Sequence, residues 1–400
     1  MIIEPKVKGF ICITAHPKGC EKNIQNTIDY FGAQKKLELP HIKNVLVVGA
    51  STGYGLASAM AASFALGANV IAVAFEKNAQ AERGRTASAG MYNLAAYQRE
   101  ANRQGLYLKT IIGDAFAHET KKIVCDCIRE IGPIDLFIYS IAAPIRQDPD
   151  TGERYSSVLK PAGKPYKSKG IDLTSFKLSE TVIQPATEEE IKNTVKVMGG
   201  EDLELWAAAL SKNNLFGKDA AIISYSYIGP PLTHDIYKNG AVGAAKDHLK
   251  LTSDRLHGLY GVLSYVSVNK AVVTQSSAAI PVLPLYISIL FSVMKEKKLH
   301  ENCAEQIYRL FEKLQNKQNL TDDAGFIRMD EFEMSEEVQS EARRRWELVD
   351  DENLGELADV DGYRRDFLNL FGFGLEGVDY GEDLDIEVDE EGLGFLNLLN

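Results

Sequence analysis

The sequence predicts an α/β fold, a doubly wound parallel sheet with an inserted hairpin and helical segment and a C-terminal appendage. Three observations carry that expectation. Apolar runs without alternation recur along the chain, as in strands covered on both faces. Helical patterns lie between several of these runs. A glycine-rich turn, Gly49-Ala-Ser-Thr-Gly53-Tyr-Gly55, joins the first run to a stretch of small residues.

Asn44-Val-Leu-Val-Val-Gly49 reads as a buried parallel strand. Leu56 to Leu66 follows as a helix whose alanines and serines allow close packing on a sheet. Asn69-Val-Ile-Ala-Val-Ala-Phe75 is the second strand and completes a βαβ unit. Leu108–Ile112, Ile134–Tyr139, Ala220–Ser224 and Val262–Val268 are further strand candidates, which gives a Rossmann-type order.

The connection from Ala143 to Asp219 is too long for the simple fold. It reads as an insertion over about 144–218, a β-hairpin followed by helices, one starting at Glu188. Arg154, Lys160, Lys164, Lys167 and Lys169 make it basic. That pattern suits either a solvated hairpin or a grip on a phosphorylated carrier such as coenzyme A or a phosphopantetheine arm. Beyond about residue 320 the chain turns acidic, with a helix from Glu336 to Trp346, and reads as a docked appendage with a looser end. The expected organisation is a nucleotide-binding segment over 1–80, the catalytic part of the same unit over 81–320, and the appendage over 321–400.

Four hundred residues with 45% hydrophobic content can bury a large core. The net charge of −12 argues against nucleic acid as a partner. Five scattered cysteines, an odd number, fit free thiols in a reducing cytoplasm. Cys125-Asp-Cys127 lacks the second pair that a zinc site needs, so no metal is expected. Met1-Ile-Ile-Glu-Pro lacks the features of a signal peptide. The longest apolar stretch, Ala278 to Met294, has two prolines in its first half. It reads as a core helix or pocket wall, so no stable membrane insertion is expected.

The glycine turn follows a strand and opens a helix, the setting in which backbone amides can face a pyrophosphate. A dinucleotide ligand follows. Glu76, 21 residues after Gly55, ends the second strand. A carboxylate there accepts from ribose hydroxyls and repels a 2′-phosphate, which predicts NADH over NADPH, a preference that Lys77 would soften. Asp114, after the third strand, is a candidate acceptor for the adenine amino group, with a plain turn aspartate as the competing reading. Small residues in Ser140-Ile-Ala-Ala-Pro144 leave room for the cofactor.

Tyr237 and Lys246, with eight residues between them, are the candidate reacting pair. A phenol can hydrogen-bond an oxygen that becomes negative when hydride arrives, and an ammonium can hold the ribose and favour that charge. His234 reads as a loop hydrogen-bonder. The chain here resembles the FabV/TER family of NADH-dependent trans-2-enoyl thioester reductases, within the short-chain dehydrogenase/reductase superfamily. Matching segments include Gly49–Gly55, Phe75-Glu76, Gly113–Phe116, Val197–Asp202, Tyr225–Gly229, Thr233–Tyr237 with Lys246, Val268–Ser277 and Leu370–Gly374. The resemblance covers essentially the whole chain.

It implies Tyr237 as catalytic donor, Lys246 as catalytic partner and cofactor contact, and Tyr227 on the substrate thioester. It also implies cofactor contacts from Gly49, Ala50, Ser51, Thr52, Gly53, Tyr54, Phe75, Glu76, Asp114, Ala115, Ile141, Ala142, Val273, Thr274 and Gln275. The substrate would be an enoyl-acyl carrier protein or enoyl-CoA, the cofactor NADH/NAD, and the protein a cytoplasmic monomer. Met91 and Leu203 stand where the family usually has tryptophan. The competing functions are an enoyl-CoA reductase of fermentation, a carbonyl reductase and a catalytically silent NADH-binding sensor. No flavin-binding signature is evident.

Overall fold

Alternate residues of the apolar runs enter two separate cores. Val45, Val47, Val70 and Ala72 pack in one, Leu46, Val48, Ile71 and Val73 in the other. That division requires a sheet covered on both faces. The computed structural model of the protein describes residues 1–172, 175, 177–316 and 320–399.

Eight strands form the sheet: β1 (Asn44–Val48), β2 (Asn69–Ala74), β3 (Leu108–Ile112), β4 (Ile134–Tyr139), β5 (Phe216–Ser226), β6 (Leu263–Val268), β7 (Phe326–Arg328) and β8 (Leu396–Asn397). Their order is β7-β6-β5-β4-β1-β2-β3-β8, and every pairing is parallel. The order reverses between β1 and β4. In open α/β sheets that reversal leaves a crevice at the carboxyl ends of the strands, where ligands bind.

The insertion holds two hairpins rather than one. Ile145–Gln147 pairs with Arg154–Ser156, and Tyr166–Ile171 with Leu178–Ile183. The Glu188–Met198 helix follows, started by a capping box in which Thr187 and Glu190 bond reciprocally. The Glu201–Lys212 helix comes next. The appendage is more than docked, because it supplies both edge strands. Phe326–Arg328 pairs with Val266–Val268, and Leu396–Asn397 with Ile111–Ile112. Strands of two or three residues are too short to show a period, so composition gave no sign of them.

The apolar stretch after Ala278 forms the Leu283–Glu296 helix, most of whose residues are buried. Among the described residues no helix is long and apolar enough to cross a membrane. Met91 and Leu203 are both fully buried, so they fill core positions.

Candidate active site

The glycine turn works through backbone geometry. Gly49 has φ +90°, and its backbone lies so close to Ser140 at the end of β4 that a Cβ would overlap the Ser140 carbonyl. The amides of Gly49 and Ala50 both donate to the Val73 carbonyl, at 2.9 and 3.0 Å. Thr52 is the N-cap of the Gly53–Phe64 helix, whose first amides open toward the crevice. Gly53 has φ +54°, and a Cβ there would stand 3.5 Å from Thr274 Cγ2. Glycine thus keeps the gap between the loop and Thr274 open.

A cavity of about 800 Å³ fills the crevice. Its wall includes Gly49, Ser51, Thr52, Gly53, Tyr54, Phe75, Asp114, Ala115, Ile141, Ala142, Tyr227, Tyr237, Lys246, Thr274 and Gln275. Three expected contacts lie behind that wall. Ala50 is fully buried and Val273 nearly so. Glu76 turns its carboxylate to the Ser51 and Ser88 hydroxyls, each at 2.5 Å. Burial pushes its pKa up, and the two hydroxyls oppose that. Asp114 lines the cavity while Oδ1 accepts from the Phe116 amide at 2.9 Å, so it also makes the turn.

Tyr237 is 9% exposed, and its hydroxyl has no hydrogen-bond partner among the described residues. Burial pushes its pKa up, so it stays a neutral donor. Lys246 projects from the Ala241–Tyr260 helix and donates to the Tyr225 carbonyl at 2.9 Å. Burial of the ammonium pulls its pKa down to about 8. Tyr227 meets the Tyr237 ring edge-on, with centroids 5.1 Å apart. His234 Nε2 lies 2.9 Å from the Gly229 carbonyl, as a loop hydrogen-bonder would.

The basic hairpins are mostly satisfied within the protein. Lys160 pairs with Glu190 at 2.5 Å, Lys167 with Glu180 at 3.0 Å, and Lys164 with Asp235 at 3.9 Å. Lys169 donates to the carbonyls of Trp346, Glu347 and Val349. Arg154 alone of the five lines the cavity.

Two buried polar clusters had no local signal. Lys121 bonds Asp202 at 2.7 Å and the carbonyls of Ala115 and Phe116 at 2.8 and 3.0 Å, which ties down the loop after β3. Tyr139 donates to the same aspartate at 3.0 Å. Glu333 reaches the cavity wall from the appendage and accepts from Tyr227, Tyr286 and the Ala271 amide. Both carboxylates have donors that lie far along the chain, 81 residues away for Lys121 with Asp202 and 106 for Tyr227 with Glu333.

Comparison with known proteins gives a consistent result. A family model described as trans-2-enoyl-CoA reductase catalytic region matches residues 85–315. One described as the NAD(P)H binding domain of trans-2-enoyl-CoA reductase matches residues 2–81, and one described as enoyl reductase FAD binding domain matches 321–384. The chain is 47% identical over 398 residues to a trans-2-enoyl-CoA reductase (NADH) of Ruminiclostridium cellulolyticum, covering 98% of this chain and 100% of that one. It is 49% identical over 400 residues to an enoyl-acyl-carrier-protein reductase (NADH) of Flavobacterium johnsoniae, covering 98% and 100%. The crystal structure of Treponema denticola trans-2-enoyl-CoA reductase in complex with NAD superposes with a TM-score of 0.92 at 43% identity, covering 97% of this chain and 99% of that one.

The residues bordering the third matched region do not suit a flavin dinucleotide. The cleft there, about 780 Å³, is lined by Glu296, Asp351, Asp359 and Asp361 against Lys177 and Lys295. Lys295 is already bound to Asp359 at 2.6 Å. A diphosphate would face excess negative charge.

Proposed function

The chain belongs to the trans-2-enoyl-CoA reductase family, and from that premise we propose a specific division of labour in its active site. The enzyme reduces the C2=C3 double bond of trans-2-enoyl thioesters with NADH. The observation that carries the assignment of roles is the Tyr237 hydroxyl, which lacks a partner among the described residues inside a cavity that also presents Lys246 and the glycine loop.

The cavity fits the cofactor. The glycine loop leaves backbone room for a pyrophosphate, and the helix N-terminus favours its charge. Asp114 and Ala115 stand where the adenine end would lie, and Thr274 and Gln275 form the opposite wall, suited to the nicotinamide. Glu76, held by Ser51 and Ser88, places negative charge beneath the ribose position and disfavours a 2′-phosphate. NADH supplies the hydride that C3 of the substrate receives.

Tyr237 donates to the thioester oxygen, which becomes an enolate oxygen as the hydride arrives. Its raised pKa keeps the proton on the phenol until that charge develops. Lys246, fixed by the Tyr225 carbonyl, holds the ribose and favours negative charge nearby. A proton delivered to C2 by Tyr237 or by water completes the saturated acyl chain. The apolar wall from Ile280 and Leu283 takes the acyl chain and excludes water.

Both coenzyme A and acyl carrier protein thioesters fall within this reading, with the carrier protein as the physiological carrier and the chain acting as a cytoplasmic monomer. The test is NADH oxidation with crotonyl-CoA and crotonyl-acyl carrier protein, beside NADPH, acetoacetyl-CoA and a Tyr237→Phe variant. NADH-specific turnover on the enoyl thioesters that collapses in the variant supports the assignment. Activity on acetoacetyl-CoA alone would move the protein to the ketoreductases. Cofactor binding without turnover would leave a silent sensor.

A further inference from the structure

Glu333 is fully buried, in the segment between β7 and the Glu336–Leu348 helix. Three donors meet its two oxygens. The Ala271 amide donates to Oε2 at 2.7 Å, while Tyr286 at 2.7 Å and Tyr227 at 3.1 Å donate to Oε1. Gln339 donates to the Tyr286 hydroxyl at 3.1 Å, which leaves that phenol's own hydrogen for Glu333. An acceptor-only carboxylate matches this set, because a protonated acid would bring a fourth hydrogen. Burial pushes the Glu333 pKa up, and the Ala271 amide, Tyr286 and the buried Lys270 oppose that. Lys270 itself donates to the Ala271 carbonyl at 3.1 Å.

A phenol has a single hydrogen, and Tyr227 commits its hydrogen to Glu333. On the cavity side it then offers lone pairs, so Tyr237 is left as the phenol able to donate to the substrate oxygen. The ring of Tyr227, pinned at its hydroxyl, also supports the Tyr237 ring edge-on. Through the Ala271 amide the same carboxylate anchors the start of the wall that ends in Thr274 and Gln275.

We propose that Glu333 is a positioning residue of the active site, a buried carboxylate that fixes the hydrogen direction and ring pose of Tyr227 and, through it, the pose of Tyr237. The proposal rests on the enoyl reductase reading of the site. It gives the acidic C-terminal segment a task in catalysis with no cofactor of its own.

The test is a double-mutant cycle on Glu333→Gln and Tyr227→Phe, with kcat and KM measured on crotonyl-CoA and NADH affinity by fluorescence without substrate. In E333Q, a carboxamide that keeps its oxygen on the Ala271 amide turns its NH2 toward Tyr227 and reverses that bond. The expected result is a kcat lowered by about tenfold or more in each single variant, NADH affinity within about twofold of wild type, and a double variant no slower than the worse single one. Multiplicative losses in the double variant, or wild-type kcat in E333Q, would overturn the proposal. Should E333Q fail to fold, Glu333→Asp keeps the charge but is too short for both partners. The same cycle then applies, with a smaller kcat loss that again vanishes in the Tyr227→Phe background; a multiplicative loss there overturns the proposal equally. A wild-type protein that does not oxidise NADH with any enoyl thioester would overturn the enzyme reading itself, a result distinct from an active wild type with an unaffected E333Q.

Discussion

Burial disfavours the charged form of both Tyr237 and Lys246, raising the pKa of the first and lowering that of the second. For Tyr237 the neutral donor is favoured. Losing a single donor aimed at a developing oxyanion costs about 10²–10³-fold in rate. Tyr237→Phe is therefore expected to lower kcat by about that factor while leaving NADH affinity in a binding titration near wild type. For Lys246 the charged form is the one disfavoured, with a pKa of about 8. The ammonium is the form that the proposed ribose contact requires, and its fraction falls as pH rises through that value. The expected kcat/KM for NADH is flat below about pH 7 and declines above pH 8, since this parameter reports the free enzyme. A profile flat to pH 10 would remove Lys246 from the role. The pair was legible in the sequence because its spacing is local. The partners that hold it, the Tyr225 carbonyl and the Glu333–Tyr227 contact, come from segments 21 and 106 residues away in the pairs concerned, and no window of sequence contains them.

At the scale of elements, the loop after β3 shows how packing completes what a motif begins. Gly113-Asp114-Ala115 places the candidate adenine contacts, yet Lys121 from the following helix holds that loop by two carbonyls. Lys121 and Asp202 are 3% and 1% exposed at the side chain, so each needs the other. Removing one partner of such a pair costs about 3–5 kcal/mol, because the remaining charge is left buried. Lys121→Met is expected to lose about that much stability in urea unfolding and to raise KM for NADH more than KM for the enoyl thioester. Unchanged unfolding would show that the cluster is not under tension from an unpaired charge. The hairpin lysines give the converse lesson. Their pattern suggested a phosphate grip, but Lys160, Lys164 and Lys167 have carboxylate partners that only the folded insertion brings near.

Across the whole molecule, two short strands from the C-terminal appendage close the edges of the sheet. Leu396–Asn397 pairs beside Ile111–Ile112, and the Leu398 amide donates to the Ile112 carbonyl at 2.7 Å, one residue before Gly113. Deleting residues 395–400 is expected to lower the melting temperature and raise KM for NADH, with kcat at saturating NADH less affected. An unaltered KM for NADH would show that the loop after β3 does not depend on this edge strand. The central strands and the glycine turn were determined by the sequence alone, since buried parallel strands require unbroken apolar runs and a close backbone approach requires glycine. The spacing of the candidate pair Tyr237 and Lys246 was legible too, since both lie within one turn and the helix that follows it. The tertiary structure decided the rest: the two edge strands from the acidic appendage, the second hairpin, the pairing of the basic residues, and the buried carboxylates Asp202 and Glu333. The physical reason is that a carboxylate reads as surface until three-dimensional packing supplies the donors that make its burial tolerable, and those donors come from distant parts of the chain.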